Sequence, residues 1–115
     1  MRLTAEMWVA AYMRRAETEG AAAYLRRRGA AQGGSVALKI LRTGLPPHEP
    51  AATALARVSS LDGGIAWSWL VGPEPALERE VDAKLERQAA FDPDLWLVEI
   101  EDREGRRFLD DPILG

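Results

Sequence analysis

The chain contains no cysteine and a single histidine, His48, in 115 residues. The absence of cysteine excludes a disulfide framework, a thiolate nucleophile and a cysteine-based zinc site. One histidine without a neighbouring metal ligand supplies neither a zinc site nor a Ser-His-Asp triad. Because no other catalytic or cofactor motif is recognisable, the sequence predicts no catalytic residue and no cofactor.

Long apolar runs are also missing. No stretch approaches the ~20 consecutive apolar residues that a membrane span requires, and residues 1–6 lack the apolar run of a secretion signal. We therefore expect a cytoplasmic protein without membrane contact. The apolar fraction of 47% and the charged fraction of 29% are typical of a folded globular protein. Residues 1–115 are predicted to form a single globular domain, since this length suffices for one core.

Charge is unevenly distributed along the chain. Residues 1–58 carry nine Lys/Arg against four Asp/Glu, a net charge of +5. Residues 59–115 carry six Lys/Arg against fourteen Asp/Glu, a net charge of −8. Such segregation steers a charged partner or pairs the two halves of a fold or a dimer. Pairing within the protein itself is the simpler interpretation.

Two segments have the periodicity of amphipathic helices. Apolar residues at i, i+3, i+4 and i+7 predict a helix over residues 5–19, with Thr4 as N-cap and Gly20 as C-cap. A second helix is predicted after residues 72–75, ending before the Phe91-Asp92-Pro93 segment because a residue preceding proline avoids the helical conformation. Its apolar edge repeats every four residues, at Leu77, Val81, Leu85 and Ala89.

Strands are predicted where apolar residues alternate between turn signals. Residues 21–28 and 35–42 flank a glycine-rich turn, which predicts one β-hairpin. Residues 53–59 and 65–71 flank Asp62-Gly63, a dipeptide that favours a tight reversal, which predicts a second hairpin.

A last strand is predicted near the C-terminus, followed by a turn over residues 102–105 and a return through residues 106–109. One face of this strand carries Trp96, Val98 and Ile100, and the other carries Leu95, Leu97, Glu99 and Glu101. We therefore expect an α+β fold, with an antiparallel sheet of five or six strands built from hairpins and two amphipathic helices packed on one face.

The densest candidate for chemistry is acidic and comprises Asp92, Asp94, Glu99 and Glu101. Carboxylates at this spacing are able to hold a hard cation such as Mg²⁺. One alternative function is therefore a small metal-dependent hydrolase or nuclease. The competing interpretation is structural, because Asp92 before Pro93 is typical of an Asx turn and no Lys or His lies beside the acids as a general base.

Arg26, Arg28 and Arg42 in the basic half suggest a second alternative, a nucleic-acid-binding domain. On a strand, Arg26 and Arg28 share one face, and Tyr24 is available to stack on a base. The overall charge of −3 argues against this function, because nucleic-acid-binding domains usually present a basic surplus.

An acidic ridge is predicted along the second helix, where Glu74, Glu78, Asp82 and Glu86 recur every four residues. Like charges at this spacing repel one another. The ridge therefore indicates either a solvated helix face or a surface that binds a basic partner. These four residues are the candidate partner-binding residues.

Two further motifs have structural interpretations. Trp67 and Trp69 share one strand face and are read as core or interface residues, because tryptophan buries a large apolar surface. Residues 29–34 are glycine-rich but lack the Lys-Ser/Thr ending and the following helix of a phosphate-binding loop. We interpret them as a turn.

Several segments resemble the bacterial family known as domain of unknown function 1491. They are residues 8–15, residues 27–40 and, most specifically, residues 91–102, which read Phe-Asp-Pro-Asp-Leu-Trp-Leu-Val-Glu-Ile-Glu-Asp. The helix around residues 81–83 is also similar, whereas residues 44–72 do not match. Since the family has no established activity, the resemblance implies a small bacterial cytoplasmic protein and supplies no catalytic residue.

These observations favour a non-enzymatic protein-binding or adaptor domain. In this hypothesis an exposed sheet edge and charged surfaces engage a protein partner or a second copy of the chain. The hypothesis depends on the segregated charge, on the acidic ridge and on the lack of a nucleophile–base pair. Nucleic acid is the less favoured partner, and no membrane partner is expected.

Overall fold

Two helices and six strands are formed within residues 3–114, the part of the chain that the structure, a computed structural model, describes. No helix in this part of the chain is both long and apolar enough to cross a membrane. In chain order the elements are α1 (Ala5–Thr18), β1 (Ala22–Arg27), β2 (Val36–Arg42), β3 (Ala52–Ser59), β4 (Ile65–Ala76), α2 (Glu78–Phe91), β5 (Trp96–Asp102) and β6 (Ile113–Leu114).

The caps of α1 explain where this helix begins and ends. The Thr4 hydroxyl accepts a hydrogen bond from the Met7 N–H at 3.2 Å, which satisfies one free donor of the first turn. At the other end Gly20 adopts a φ of +97°, and the Ala21 N–H donates to the Ala16 carbonyl at 3.0 Å. This Schellman arrangement closes the last turn. The predicted helix and its N-cap are confirmed, whereas the C-cap is Glu19 and the predicted Gly20 is the next residue, in the left-handed conformation.

The sheet is mixed, and its strand order is β1-β5-β2-β3-β4-β6. β5 lies between β1 and β2, antiparallel to the first and parallel to the second. The predicted antiparallel sheet and the predicted β1–β2 hairpin are therefore wrong, whereas the β3–β4 hairpin is confirmed. The cause is β5 itself, none of whose residues is exposed and which is covered by a strand on each side.

The helices pack on opposite faces of the sheet, which corrects the prediction that both lie on one face. Alternate residues of β2 point to opposite faces. Val36, Leu38 and Ile40 belong to the core cluster that includes α1, whereas Ala37 and Leu41 pack with α2. Because both faces of the central strands are apolar, each face requires its own covering layer.

β4 is longer than predicted and continues through Gly72, Pro73 and Pro75, residues that the sequence placed in a break. Prolines are tolerated there because β6 pairs with β4 only at Trp67 and Ser68, which leaves the end of β4 as an edge. Glu74 consequently lies on a strand, and its predicted place in the helical ridge is wrong.

Both tryptophans of β4 contribute to the α1-side core, as predicted. Trp67 is fully buried, and its ring centroid lies 5.3 Å from that of Trp8 on α1. Trp69 is partly buried against the same cluster. These contacts leave no open stacking face for a base or a sugar at Trp67.

Residues 29–34, predicted as a simple turn, join three parts of the fold. The Ala30 N–H donates to the Asp94 carbonyl at 3.1 Å, and the indole of Trp96 donates to the Ala30 carbonyl at 2.6 Å. Carbonyls of the same segment accept hydrogen bonds from the first N–H groups of α1, including Ala5 N–H to Gln32 O at 3.2 Å. The segment thus fixes the start of α1 against the start of β5.

A side chain at position 29 is expected to disturb this junction. A Cβ at Gly29 would collide with the Asp94 carbonyl and would lie 2.6 Å from the Trp96 ring, whereas a Cβ at Gly33 would meet nothing within 4 Å. Gly29→Ala should therefore lower the free energy of unfolding by about 2 kcal/mol, and the control Gly33→Ala should change it by less than about 0.5 kcal/mol. Urea unfolding measures both, and equal effects of the two variants would contradict this packing.

The predicted turn after β5 is confirmed and is organised by Asp102. Its buried carboxylate accepts hydrogen bonds from the N–H groups of Glu104 and Arg106 at 3.1 and 2.9 Å and pairs with the Arg106 guanidinium at 2.8 Å. The hydrogen bond from the Arg106 side chain is the main cause that lowers the pKa of Asp102 to about 2. Residues 106–109 then continue without strand structure.

The lowered pKa of Asp102 predicts a specific pH dependence. Because the folded-state pKa lies below the ordinary value of 3.8, the ionised carboxylate stabilises the fold above about pH 4, and this contribution is lost as the pH falls towards 2. Asp102→Asn should be less stable than the wild type at pH 7, and the difference should shrink as the pH is lowered. Urea midpoints across this pH range provide the measurement. An undiminished difference at the acidic end would refute the assignment.

Candidate functional site

The main concentration of charge lies in a groove between α2 and the sheet, which we call the α2 groove. It has a volume of about 450 Å³. Its apolar wall includes Leu85 and Leu97. Its charged lining consists of Arg26, Arg27, Lys39, Glu78, Asp82, Glu86 and Glu99.

Lys39 is the centre of the groove. It projects from β2 on the face covered by α2, and its side chain is only 3% exposed. Its Nζ lies 2.6 Å from Glu78 Oε2, 2.7 Å from Asp82 Oδ1 and 3.2 Å from Glu99 Oε1. Three carboxylates therefore surround one buried ammonium.

The fold brings these carboxylates together from two elements. Glu99 is the register partner of Lys39 across the parallel β2–β5 pair. Glu78 and Asp82 are four residues apart on α2 and therefore project from the same face of that helix. The predicted spacing of acidic residues every four positions is thus confirmed for Glu78 and Asp82. Both carboxylates bind the same buried ammonium.

Glu99 is as buried as Lys39 and has a second cationic partner. Its side chain is 4% exposed, and Nε and Nη2 of Arg26 each donate to it at 3.1 Å. A bidentate guanidinium of this kind satisfies both oxygens of a carboxylate. The network therefore extends from Arg26 at the sheet edge through Glu99 to Lys39 and on to α2.

The pKa directions follow from burial and from this pairing. Burial lowers the pKa of Lys39, but hydrogen bonds to Asp82 and Glu78 and the charge of Glu99 outweigh it, so that the net pKa is raised. Burial raises the pKa of Glu99, but the hydrogen bond from Arg26 and the charge of Lys39 contribute to a net lowering. The pKa of Glu101 is raised, chiefly by its hydrogen bond with Glu99.

These states determine what the site is able to do. A nucleophilic lysine must reach its neutral amine form, and the raised pKa of Lys39 holds it as an ammonium. Glu99 is bound by two cations, and its lowered pKa makes it a weak base. The arrangement fits a charged binding surface that is anchored in the core, and it offers no nucleophile–base pair.

Three of the four candidate partner-binding residues line the α2 groove, and the fourth does not. Glu78 and Asp82 bind Lys39 and remain about half exposed, at 48% and 47% of their side chains. Glu86 lines the same groove and has no ion-pair partner within residues 3–114. Glu74 lies apart from them on β4.

The three arginines suggested for nucleic-acid binding are dispersed. A register shift between Leu25 and Arg27 marks a β-bulge at Arg26, so that simple alternation fails there. Arg26 pairs with Glu99 on the α2 face, whereas Arg28 pairs with Glu6 of α1 at 2.5 Å. The expectation that these two arginines share a face is wrong.

Arg42 lies at the end of β2 that is opposite to the bulge. Its Nε donates to the Arg103 carbonyl at 3.2 Å. The structure therefore does not unite the three arginines in one patch.

Two of the four acidic residues suggested for a metal ion, Asp92 and Glu99, are engaged in other contacts. The Asp92 carboxylate accepts a hydrogen bond from the Asp94 N–H at 3.0 Å, which is the Asx turn that the sequence predicted. Glu99 is bound by Arg26 and Lys39. Among residues 3–114, no group of three or more His, Asp or Glu side chains is arranged to hold a metal ion.

Sequence reasoning did not single out Lys39 as a site residue. A signal was nevertheless present, because Lys39 interrupts an otherwise apolar strand and alternates with Ala37 and Leu41 on one face. A lysine in a central strand is almost never fully buried without a partner. The identity of its partners depended on β5 and α2, which are distant in sequence.

The buried pairing of Lys39 predicts a large loss of stability when the cation is removed. Lys39→Met leaves Glu99 with one cation and Glu78 and Asp82 with none, and should lower the free energy of unfolding by about 3 kcal/mol. The control Glu78→Gln removes one half-exposed partner and should cost less than about 1 kcal/mol. Urea unfolding distinguishes the two. A Lys39→Met variant as stable as Glu78→Gln would contradict the central role of the ammonium.

Comparisons with other proteins identify related chains of the same size. A crystal structure of a DUF1491 family protein from Caulobacter crescentus CB15 superposes with a TM-score of 0.84 at 38% identity, covering 98% of this chain and 100% of that chain. An NMR structure of a DUF1491 family protein from the same organism gives a TM-score of 0.83 at 40% identity, covering 100% and 99%.

A solution structure of a protein from A. tumefaciens is more distant, with a TM-score of 0.74 at 25% identity and coverage of 96% and 97%. None of the curated proteins matches this chain. The family described as "Protein of unknown function (DUF1491)" matches residues 3–110, which includes α1, α2 and the first five strands. The predicted resemblance is thereby confirmed, and the chain belongs to the DUF1491 family.

Proposed function

We propose that this protein is a non-enzymatic protein-binding domain in which the open edge of β1 and the α2 groove bind an extended, basic segment of a partner protein. The observation that carries this proposal is the position of an unpaired strand edge beside an acidic groove. The partner would add a strand to the sheet and place Lys or Arg side chains over α2.

The two ends of the sheet differ in their readiness to accept a strand. β1 is the terminal strand, and within residues 3–114 its outer edge pairs with no other strand. At the opposite end, β6 is only two residues long, and Pro73 and Pro75 lie on the part of β4 that extends beyond it. Since proline blocks strand addition and a bare edge promotes it, β1 is the edge open to a partner.

Exposed apolar side chains lie on and near this edge. Tyr24 and Leu25 of β1 are 42% and 40% exposed. Phe91, the last residue of α2, is 89% exposed. An added strand would cover part of this apolar surface, which favours its association.

The charges of the groove select a basic partner. The lining contains four carboxylates, from Glu78, Asp82, Glu86 and Glu99, against three cations. Of these four carboxylates, Glu86 is the one that has no ion-pair partner among residues 3–114. A lysine or arginine of the bound segment would supply that partner.

One donor in the groove also lacks an acceptor. The Nε of Arg27 is buried and has no hydrogen-bond partner among the described residues, although Nη2 of the same side chain donates to the Pro93 carbonyl at 3.1 Å. Buried donors are nearly always paired in native proteins. A backbone carbonyl of the bound segment would reach this donor only after the Arg27 side chain has moved.

A selection from random peptides tests the proposal directly. Peptides displayed on phage are selected in parallel on the wild type and on Glu86→Lys. We expect extended, Lys/Arg-containing sequences on the wild type and a loss of binding of about tenfold on Glu86→Lys. Glu17→Lys, on the exposed surface of α1, is the matched control and should bind like the wild type.

A titration of the selected peptide then locates its binding site. Amide NMR shifts should concentrate at residues 22–25, the part of β1 before the bulge. Peptides that bind elsewhere, or that bind Glu86→Lys as tightly as the wild type, would refute the proposal. Sedimentation of the protein alone measures its oligomeric state. A dimer would indicate that a second copy of the chain, rather than a partner protein, occupies this edge.

A further inference from the structure

A second groove lies on the α1 side of the sheet, and we call it the Arg57 pocket. It has a volume of about 840 Å³, within the range of pockets that bind small molecules. It forms where the start of α1, the segment before β2 and the β3–β4 hairpin meet. Its polar lining includes Thr4, Gly34, Ser35, Arg57, Ser59 and Asp111.

Arg57 differs from the paired arginines of this protein. Arg15, Arg26, Arg28 and Arg106 each form an ion pair with a carboxylate. Arg57 forms none within residues 3–114, and its guanidinium donates from Nη2 to the Gly34 carbonyl at 3.2 Å. Most of its donors therefore lack an acceptor in the described part of the chain.

The position of this guanidinium is nevertheless well defined. It lies over the Trp8 ring, with 5.7 Å between Cζ and the ring centroid. Trp8 is in turn stacked on Tyr12, with 5.0 Å between the ring centroids. An aromatic support of this kind attracts the cation and restricts its orientation.

The electrostatic environment of Arg57 is incompletely compensated. Burial lowers its pKa, and the charge of Asp111 opposes this effect only in part. Asp111 is itself engaged, since it accepts a hydrogen bond from the Trp67 indole at 3.4 Å. A half-buried cation without a bonded anion is unfavourable unless an anion completes it.

We propose that the Arg57 pocket binds the phosphate group of a small phosphate ester that also carries hydroxyl groups. Arg57 supplies a fork of N–H donors to the phosphate oxygens. Ser35 and Ser59 line the same pocket, and their hydroxyls would be further donors to the phosphate. Asp111 accepts a hydrogen bond from a hydroxyl of the ester, and its negative charge disfavours phosphate that has no such group.

This pocket is distinct from the α2 groove. Arg57 is the register partner of Trp67, which belongs to the α1-side core. The α2 groove lies on the opposite face of the sheet. The ligand is therefore independent of the proposed protein partner, and each site is testable without the other.

The test compares the wild type with Arg57→Met, Arg57→Lys and Arg14→Met. Arg14 is an exposed α1 residue without a carboxylate partner in the described chain, which makes it the matched control. Each protein is titrated at constant ionic strength with glycerol 3-phosphate and, in a separate arm, with inorganic phosphate. Backbone amide NMR follows the glycines of the pocket, and thermal unfolding gives Tm.

For the wild type and Arg14→Met we expect saturable shifts at Gly33, Gly34 and Gly64 and a rise in Tm with glycerol 3-phosphate. Inorganic phosphate should bind the same residues more weakly. Arg57→Lys should bind about tenfold more weakly than the wild type, because an ammonium replaces the planar fork. Arg57→Met should lose both responses.

Two results would overturn the proposal. The first is the absence of saturable shifts in the wild type at millimolar glycerol 3-phosphate. The second is equal binding by Arg57→Met, which would locate the ligand elsewhere.

Discussion

The insertion of β5 between β1 and β2 is the constraint on which the rest of the structure depends. None of the seven residues of β5 is exposed, and its central position between two strands provides this burial. Its parallel pairing with β2 requires a long crossover, which β3, β4 and α2 provide. Two apolar sheet faces result, and α1 and α2 each cover one of them.

The same register explains the segregation of charge along the chain. Ion pairs join the basic first half to the acidic second half, as in Arg15–Asp110, Arg26–Glu99 and the bonds of Lys39 to α2 and β5. Many of the charges of the two halves are therefore paired with each other inside the protein, which agrees with the simpler interpretation of the sequence. Glu86 and Arg57 have no ion pair within residues 3–114, and each lies in one of the two surfaces that we propose bind other molecules.

Features with local causes were predicted from the sequence. Thr4 and Gly20 bound α1 because caps act within a few residues. The β3–β4 hairpin, the Asx turn at Asp92 and the turn after β5 follow from short-range hydrogen bonds in the same way. The wrong predictions concern pairing at long range. The glycine-rich segment between β1 and β2 predicted a hairpin of these two strands. Nothing in the neighbouring residues indicated that β5 lies between them.

The sequence by itself determined both helices and most of the extended segments, because periodicity and capping are properties of neighbouring residues. Tertiary structure alone decided the continuation of β4 through its prolines, the partners of Lys39, the bulge that turns Arg26 away from Arg28, and the lack of an ion pair at Arg57 within residues 3–114. These features depend on strand order and register, which are set by the burial of two sheet faces across the whole chain.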